Sequence, residues 1–300
     1  MTQIDYLDQT GGALSEVVQS EPVVPVVRRK RSVSVGLSWS WLVLVVVLAA
    51  LVPLLPVSDF DVAAGPPRTP PGFGNGLDLL LGTDNFGRSE LSRILYGARV
   101  SLVVGLVAGT VAFVIGTFLG LLAGYFGRWV DAVITYVTDA LLAFPPLILL
   151  LSISAVTKPS LFTLTVGLTI LVIPSFVRLS RANTISWRSR EFVRAARNMG
   201  ATSPRIIRRE ILPNVLPTVA SYLPLVIASL IVAEGSLSFL GLGIPAPTPS
   251  WGGMIAAGKD SLDDAAYLVL VPSVVVFLTV FALNQIGDSL RARFDRTASD

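Results

Sequence analysis

The chain has 300 residues, of which 52% are hydrophobic and only 14% are charged, and its mean hydropathy is +0.70. A soluble domain carries about 25% charged residues, so the composition predicts an integral membrane protein. The sequence contains no cysteine and no histidine, which excludes disulfides, thiolate or imidazole metal sites and serine–histidine catalysis. We therefore expect neither catalytic residues nor a metal site in this chain.

Long stretches without charge locate the candidate membrane spans, because a helix needs about 20 mostly apolar residues to cross the bilayer. Six such stretches are rich in aliphatic and aromatic residues and are predicted to be spans: 32–58, 100–127, 140–157, 159–177, 211–233 and 265–287. The third span is expected to begin near Ala132, which places Asp139 inside it. A seventh stretch, 235–258, holds three prolines and six glycines and is predicted to be a loop or a re-entrant segment.

The distribution of basic residues predicts the topology. Six spans put both termini on one side, and with that side in the cytoplasm, 17 of the 23 Lys and Arg residues are cytoplasmic. This arrangement follows the positive-inside rule and explains the isoelectric point near 9.4 without a nucleic-acid partner. The predicted parts are a cytoplasmic tail 1–37, a first span with an extracytoplasmic loop and helix 38–100, a core 101–290 with a cytoplasmic loop 189–214, and a cytoplasmic tail 291–300.

The segment after Gly87 has apolar residues at helical spacing, with Arg93 and Arg99 off the apolar stripe. The stripe consists of Leu91, Ile94, Leu95, Ala98 and Leu102. It predicts an amphipathic helix on the outer membrane face that leads into the second span.

Small residues in the second span favour close helix–helix packing, although glycine is also common in membrane helices for other reasons. They fall into two sets with a spacing of four: Gly105 and Gly109, then Gly116, Gly120 and Gly124.

The polar segment 189–214 is predicted to form two short helices, the first from Glu191 to Gly200 and the second opened by Ser203 and Pro204. The first helix has one face made of Phe192, Ala195, Ala196 and Met199; the second continues the pattern with Ile206, Ile207, Glu210 and Ile211. Periodicity alone leaves two interpretations open. One is a basic hairpin on anionic lipid, and the other is a helix that fits a groove of a cytosolic partner.

The residues at these positions resemble a known motif. Glu191, the paired Ala195 and Ala196, Gly200 and the Ile-Leu-Pro of 211–213 resemble the EAA loop of ATP-binding-cassette (ABC) importer permeases. In that family this loop couples the permease to the ATPase subunit. The residues that the resemblance implies for coupling are Glu191, Phe192, Ala195, Ala196, Met199, Gly200, Ala201, Ile206, Ile207, Leu212 and Pro213.

The resemblance extends over about 38–295 and is carried by further stretches at 81–102, 139–146 and 236–254. These resemble the dipeptide, oligopeptide and nickel permease group and, within it, the C-type membrane subunit. The resemblance implies an all-α, six-span permease of the type I ABC importer fold. One position departs from the family, because Glu210 stands where the family often has His; local ion pairs with Arg205, Arg208 and Arg209 are expected there.

The resemblance also implies the partners. They are a homologous B-type permease, two cytosolic ATPase subunits and an extracytoplasmic binding protein, in the cytoplasmic membrane of a bacterium. ATP and magnesium would be bound by the ATPase subunits, and no cofactor by this non-catalytic chain. The Gly-x4-Gly-Lys spacing that ends at Lys259 is no phosphate-binding loop, because Asp260 follows where Ser or Thr is needed. The docked binding protein or an outer gate is expected near Phe239, Leu240, Trp251 and Gly252.

Peptides are the default substrate by resemblance, with nickel chelates or glutathione-like thiol peptides as alternatives. An alternative class is a secondary transporter driven by protons or sodium, which needs ionisable groups deep in its helices. Asp139 is the main candidate for that role, with Glu234 and Asp288 near helix ends. A membrane scaffold without transport would leave the proline-interrupted spans unexplained.

Overall fold

A computed structural model of the chain describes residues 33–73, 76–157 and 160–297. Over these ranges the regular structure is helical, apart from two isolated β-bridges in the loop before the second long helix. The helices are α1 Val33–Leu51, α2 Glu90–Phe126, α3 Arg128–Ala143, α4 Pro146–Val156, α5 Leu161–Arg188, α6 Glu191–Asn198, α7 Ser203–Phe239, α8 Trp251–Gly258 and α9 Tyr267–Thr297. Short 3-10 turns lie at Val52–Leu54, Leu77–Leu79 and Lys259–Ser261. Most of the predicted N-terminal tail, Lys158 and the last three residues of the predicted C-terminal tail lie outside the described residues.

Five helices are long and apolar enough to cross a membrane, namely α1, α2, α5, α7 and α9. The sixth candidate is the pair α3 and α4, whose axes meet at 88°. The pair is broken at Phe144, which has an extended backbone (φ −79°, ψ 129°), because the residue before a proline disfavours the helical region. The expected single third span is therefore two helices at a right angle, and the predicted six spans are reached only if this broken pair counts as one.

Two helices extend across the boundaries predicted between the parts of the chain. α1 already begins at Val33, inside the predicted tail, and α9 continues to Thr297 past the predicted boundary at residue 290. A gap between charges marks the stretch that can lie in lipid, whereas a helix continues through polar residues until a cap or breaker ends it.

The α2 helix packs most extensively against α5. Gly116, Gly120 and Gly124 lie at this crossing: a Cβ atom at Gly120 would stand 2.6 Å from the Ser180 Cβ atom and 2.6 Å from the Val177 carbonyl oxygen. Gly105 and Gly109 instead face α7, where the nearest atoms belong to the side chains of Ile231 and Ile227. The two glycine sets thus serve different helix pairs, and only Gly116, Gly120 and Gly124 let two backbones approach closely.

The outer end of α2 differs from the expected surface helix. It is continuous with the second span and is capped by Ser89, whose side chain accepts a hydrogen bond from the Ser92 N–H. Arg93, expected on the exposed side, is buried; its guanidinium donates to the Phe60 carbonyl (3.1 Å) and pairs with Asp84 (3.4 Å). The expectation for Arg93 was wrong because the preceding loop folds back over this end of α2 and covers it, whereas Arg99 is exposed as expected.

The stretch 235–258 is more helical than predicted. α7 extends through Gly235 to Phe239, the irregular loop covers 240–250, and the eight-residue α8 follows. The three prolines all fall inside that loop. Gly235 and Gly252 instead provide a close approach of α7 to α8, where a Cβ atom at Gly252 would meet the Gly235 backbone.

Candidate functional site

The α6 helix is the core of the predicted coupling loop, and its ends follow from local sequence. Glu191 lies in the first turn, where a carboxylate favours the positive end of the helix dipole. Gly200 ends the helix with φ +83°, a left-handed conformation that glycine adopts without strain. The Ala201 N–H donates to the Ala196 carbonyl (3.1 Å), which closes the C-terminal cap.

The side chains of α6 differ in how far the rest of the chain covers them. Phe192, Ala195 and Met199 are exposed, Met199 to 81%, and Ala196 is half-buried. Val193, one position after Phe192, is completely buried in the main hydrophobic core, whereas Arg194 and Arg197 are exposed. Sequence analysis did not predict that Val193 anchors the helix to the core. The available signal was that Val193 is apolar but lies outside the stripe of Phe192, Ala195, Ala196 and Met199. The helix is therefore held to its own chain by one face and offers an apolar, small-residue face to a partner.

The second half of the segment is not a separate short helix. It begins after Thr202, which takes the N-cap position assigned to Ser203, and continues without interruption as α7. A π-helical stretch at Ile207–Ile211 lies within it, where the Leu212 N–H donates to the Ile207 carbonyl five residues back. Pro213 follows and has no N–H to donate, so the regular hydrogen-bond ladder is interrupted at this point.

The residues predicted for coupling in this second half have unequal exposure. Ile206 is buried and belongs to the core, while Ala201, Ile207 and Leu212 are half-buried and pack against it. Pro213 is exposed. These apolar residues fix the start of α7 to the body of the chain, so the exposed residues of this half are mainly charged or polar ones and Pro213.

The expected ion pairs of Glu210 are not formed. Among the described residues, no carboxylate–guanidinium distance within 4 Å joins Glu210 to Arg205, Arg208 or Arg209. Those three arginines are exposed and Glu210 is half-buried, so the side chains that are adjacent in sequence lie in different surroundings on the helix.

A second polar cluster, which we call the outer cluster, surrounds Glu234 near the end of α7. The Glu234 carboxylate is fully buried and accepts hydrogen bonds from the hydroxyls of Ser101 (3.2 Å), Ser238 (2.8 Å) and Ser250 (2.7 Å). The backbone N–H of Trp251 in turn donates to the Ser101 hydroxyl oxygen (3.2 Å). The cluster therefore joins α2, α7 and the start of α8. Sequence analysis noted Glu234 only as a charge near a helix end, and one sequence does not reveal which serines surround it.

The residues predicted to lie near an outer gate fall into two groups. Trp251 is completely buried, with its indole N–H donating to the Ile94 carbonyl (3.1 Å), and Gly252 is buried against Gly235. In this structure both residues are covered by the chain itself. Phe239 and Leu240 are half-exposed and line an apolar groove of about 460 Å³.

The acidic residues of α3 are both paired with arginines of α5. Asp139 accepts from Arg178 at 2.6 Å, and both side chains are more than half exposed. Both carboxylate oxygens of Asp131 accept from Arg181. Over the described ranges, no group of three metal-ligating side chains is close enough to hold a metal ion.

The fold is that of a type I ABC importer permease. The MetNI methionine ABC transporter, solved in inward-facing conformations, superposes with a TM-score of 0.56 at 20% identity, over 68% of this chain and 97% of that chain.

Residues 116–300 match the family described as binding-protein-dependent transport system inner membrane component, and the chain belongs to this family. A relative is the dipeptide transport system permease protein of Alkalihalophilus pseudofirmus, 42% identical over 222 residues, which are 74% of this chain and 73% of the relative. Another is the glutathione transport system permease protein of Pectobacterium atrosepticum, 39% identical over 215 residues, 72% of this chain and 71% of the relative. The resemblance that the EAA loop indicated is thus confirmed, and the chain is a multi-pass membrane permease component of an ABC importer.

Proposed function

We propose that the chain is the permease subunit through which an ATP-driven importer moves di- and oligopeptides across the cytoplasmic membrane of a bacterium. Its partners are a homologous B-type permease, two ATPase subunits and an extracytoplasmic binding protein. ATP and magnesium are bound by the ATPase subunits, and this chain has no catalytic role. The termini and the 189–214 loop are on the cytoplasmic side, in agreement with the distribution of arginine.

The observation that carries the proposal is the exposed face of α6. Ala195 and Met199 are exposed and Phe192 is partly exposed beside Trp187, whereas the neighbouring Val193 is completely buried. A helix with a small-residue face fits a groove of a partner protein. The buried anchor then passes any displacement of α6 directly into the core, which is what coupling requires.

Peptides are the substrate class that the dipeptide-permease relative supports. The described spans carry few unpaired charges: Asp139 is paired with Arg178, and Glu234 is enclosed by serine hydroxyls. A pathway with so few free charges does not hold a substrate tightly, so selection falls to the binding protein. The glutathione-permease relative supports a second candidate, a glutathione-type peptide, and measuring uptake of each compound with excess of the other as competitor separates the two.

The coupling role is tested with Ala195→Trp in the assembled importer. An indole on the exposed face of α6 would not fit a groove matched to a methyl group, so ATP-dependent dipeptide uptake is expected to fall about tenfold or more. Ala195 is a better test position than the half-buried Ala196, because the substitution does not disturb the core.

The matched control is Ala292→Trp, the same substitution at an exposed position near the end of α9. It is expected to leave uptake and the amount of chain in the membrane unchanged. Normal uptake by Ala195→Trp would show that α6 does not occupy a groove on the ATPase subunit.

A further inference from the structure

An open cavity of about 520 Å³ lies where the ends of α2 and α5 meet α6. Its lining includes Arg188, Arg194, Arg197 and Asp131. Asp131 is already neutralised, because both of its carboxylate oxygens accept hydrogen bonds from Arg181. The cavity wall therefore presents three guanidinium groups and a single carboxylate that has its own partner.

Two of the three guanidinium groups are held in place by Tyr125. The Arg188 Nη1 atom donates to the carbonyl oxygens of Tyr125 (2.8 Å) and Gly124 (3.2 Å). The Arg197 guanidinium lies 5.7 Å from the centroid of the Tyr125 ring. Arg194 is exposed, and its side chain makes no ion pair with any residue in the part of the chain that the structure describes. A guanidinium has five N–H donors, so each group keeps donors that can bind a ligand in the cavity.

The position of the cavity indicates what kind of anion would reach it. It lies at the ends of two spans, on the side that the arginine distribution assigns to the cytoplasm. Trp129, at the start of α3 beside this end of α2, is exposed, and exposed tryptophan is typical of the membrane–water interface. Basic pockets between membrane helices on the cytoplasmic side bind phospholipid head groups.

The arginines that α6 contributes are separate from the face proposed for the ATPase. Arg194 and Arg197 are three residues apart and project from the side of the helix opposite Ala195 and Met199. The group that binds these two arginines is therefore expected between α6 and the ends of α2 and α5.

We propose that this cavity binds a phosphate group, carried by an anionic phospholipid of the cytoplasmic leaflet. Planar guanidinium groups match the oxygens of a phosphate and bind it with charge-assisted hydrogen bonds. A phosphate bound there joins α6 to the ends of α2 and α5. How strongly α6 is held against the ends of α2 and α5 then depends on the lipid composition of the membrane and not on the transported substrate.

The test uses the purified full-length chain in mild detergent, titrated with phosphatidylglycerol or phosphatidylcholine and observed by native mass spectrometry. The wild-type chain is expected to retain phosphatidylglycerol in preference to phosphatidylcholine. The double variant Arg194→Gln/Arg197→Gln is expected to bind phosphatidylglycerol about tenfold more weakly or worse, because two charged donors are lost. The matched control Arg291→Gln/Arg293→Gln removes the same charge from exposed positions near the end of α9, outside the cavity, and is expected to bind as the wild type does. The single variant Arg194→Gln guards against misfolding of the double variant, because Arg194 is exposed and its replacement does not disturb the core.

Inorganic phosphate distinguishes the source of the group. Millimolar phosphate that displaces the lipid from the wild type supports a site for the phosphate group itself. Phosphate binding without any retention of phosphatidylglycerol overturns the lipid source. Equal retention of phosphatidylglycerol by the wild type and the double variant overturns the site. A second measurement purifies the importer complex that contains the double variant. If the ATPase subunits are lost and lipid binding is unchanged, the lipid site is overturned and the cavity is a contact with another protein.

Discussion

Replacement of Gly120 by alanine tests whether close backbone contact between α2 and α5 holds the permease together. The new Cβ atom would stand 2.6 Å from the Ser180 Cβ atom, 2.6 Å from the Val177 carbonyl oxygen and 2.9 Å from the Arg181 nitrogen. Non-bonded carbon atoms prefer about 3.5–4.0 Å, so the two helices must separate by about 1 Å. Two of these three neighbours are backbone atoms, which cannot move without the whole of α5.

The magnitude follows from two unfavourable terms and one favourable term. Overpacking of a tight contact costs about 1–3 kcal/mol, and separation would also break the hydrogen bond from the Ser180 hydroxyl to the Thr117 carbonyl (3.0 Å), worth about 1 kcal/mol. Alanine in place of glycine in a helix recovers about 1 kcal/mol. The net loss for Gly120→Ala is therefore about 1–3 kcal/mol.

Gly105→Ala is the matched control on the same helix. Its Cβ atom would meet the Ile231 Cγ1 atom at 3.1 Å and the Ile227 Cγ2 atom at 3.3 Å, both on side chains that can shift by a few tenths of an ångström. The helix-propensity gain of about 1 kcal/mol is then expected to offset the small clash. Thermal unfolding of both purified variants in one detergent compares them. A midpoint for Gly120→Ala equal to or above that of Gly105→Ala would refute the argument.

Substitutions at three further residues test the outer cluster and the Asp139–Arg178 ion pair. Trp251→Ala is expected to lower the stability of the purified chain by about 3–5 kcal/mol, whereas Trp251→Phe loses mainly the hydrogen bond to Ile94, about 1 kcal/mol; a thermal midpoint that is equal for both would contradict the buried position. Glu234→Gln is expected to retain more stability than Glu234→Leu in the same unfolding assay, because leucine leaves three serine hydroxyls without an acceptor; the reverse order would count against the cluster. Asp139→Asn is expected to change dipeptide uptake only slightly, since the carboxylate is partly exposed and pairs only with Arg178; abolished uptake would show that this carboxylate takes part in transport.

The helical membrane fold could be predicted because its signals are local. Each span is a stretch whose own residues determine whether it can lie in lipid, and no distant contact is needed to recognise it. The same holds for α6, since Glu191 at its start and Gly200 at its end are local caps.

The surroundings of polar residues could not be predicted, because segments far apart in sequence determine them. Arg93 was expected to be exposed from its place off the apolar stripe, but the Phe60 carbonyl and Asp84 reach it from the preceding loop. Glu234 is enclosed by Ser101, which is 133 positions away in the sequence. A helical pattern shows which residues share a face and leaves open what covers that face.

The two ends of the proposed mechanism are connected by α7. This helix starts in the coupling loop beside the buried Ile206, and 37 residues run from Ser203 to Phe239, a length of about 55 Å at 1.5 Å per residue. Near its far end Glu234 binds the serines of the outer cluster. A displacement of α6, passed on through Val193 and the core, therefore reaches the outer cluster along one continuous helix.

The places where that helix can bend are the π-helical stretch at Ile207–Ile211 and the internal prolines Pro217 and Pro224, because each interrupts the hydrogen-bond ladder. Bending at these points would let the two ends of α7 move by different amounts, as a permease that opens one side at a time requires.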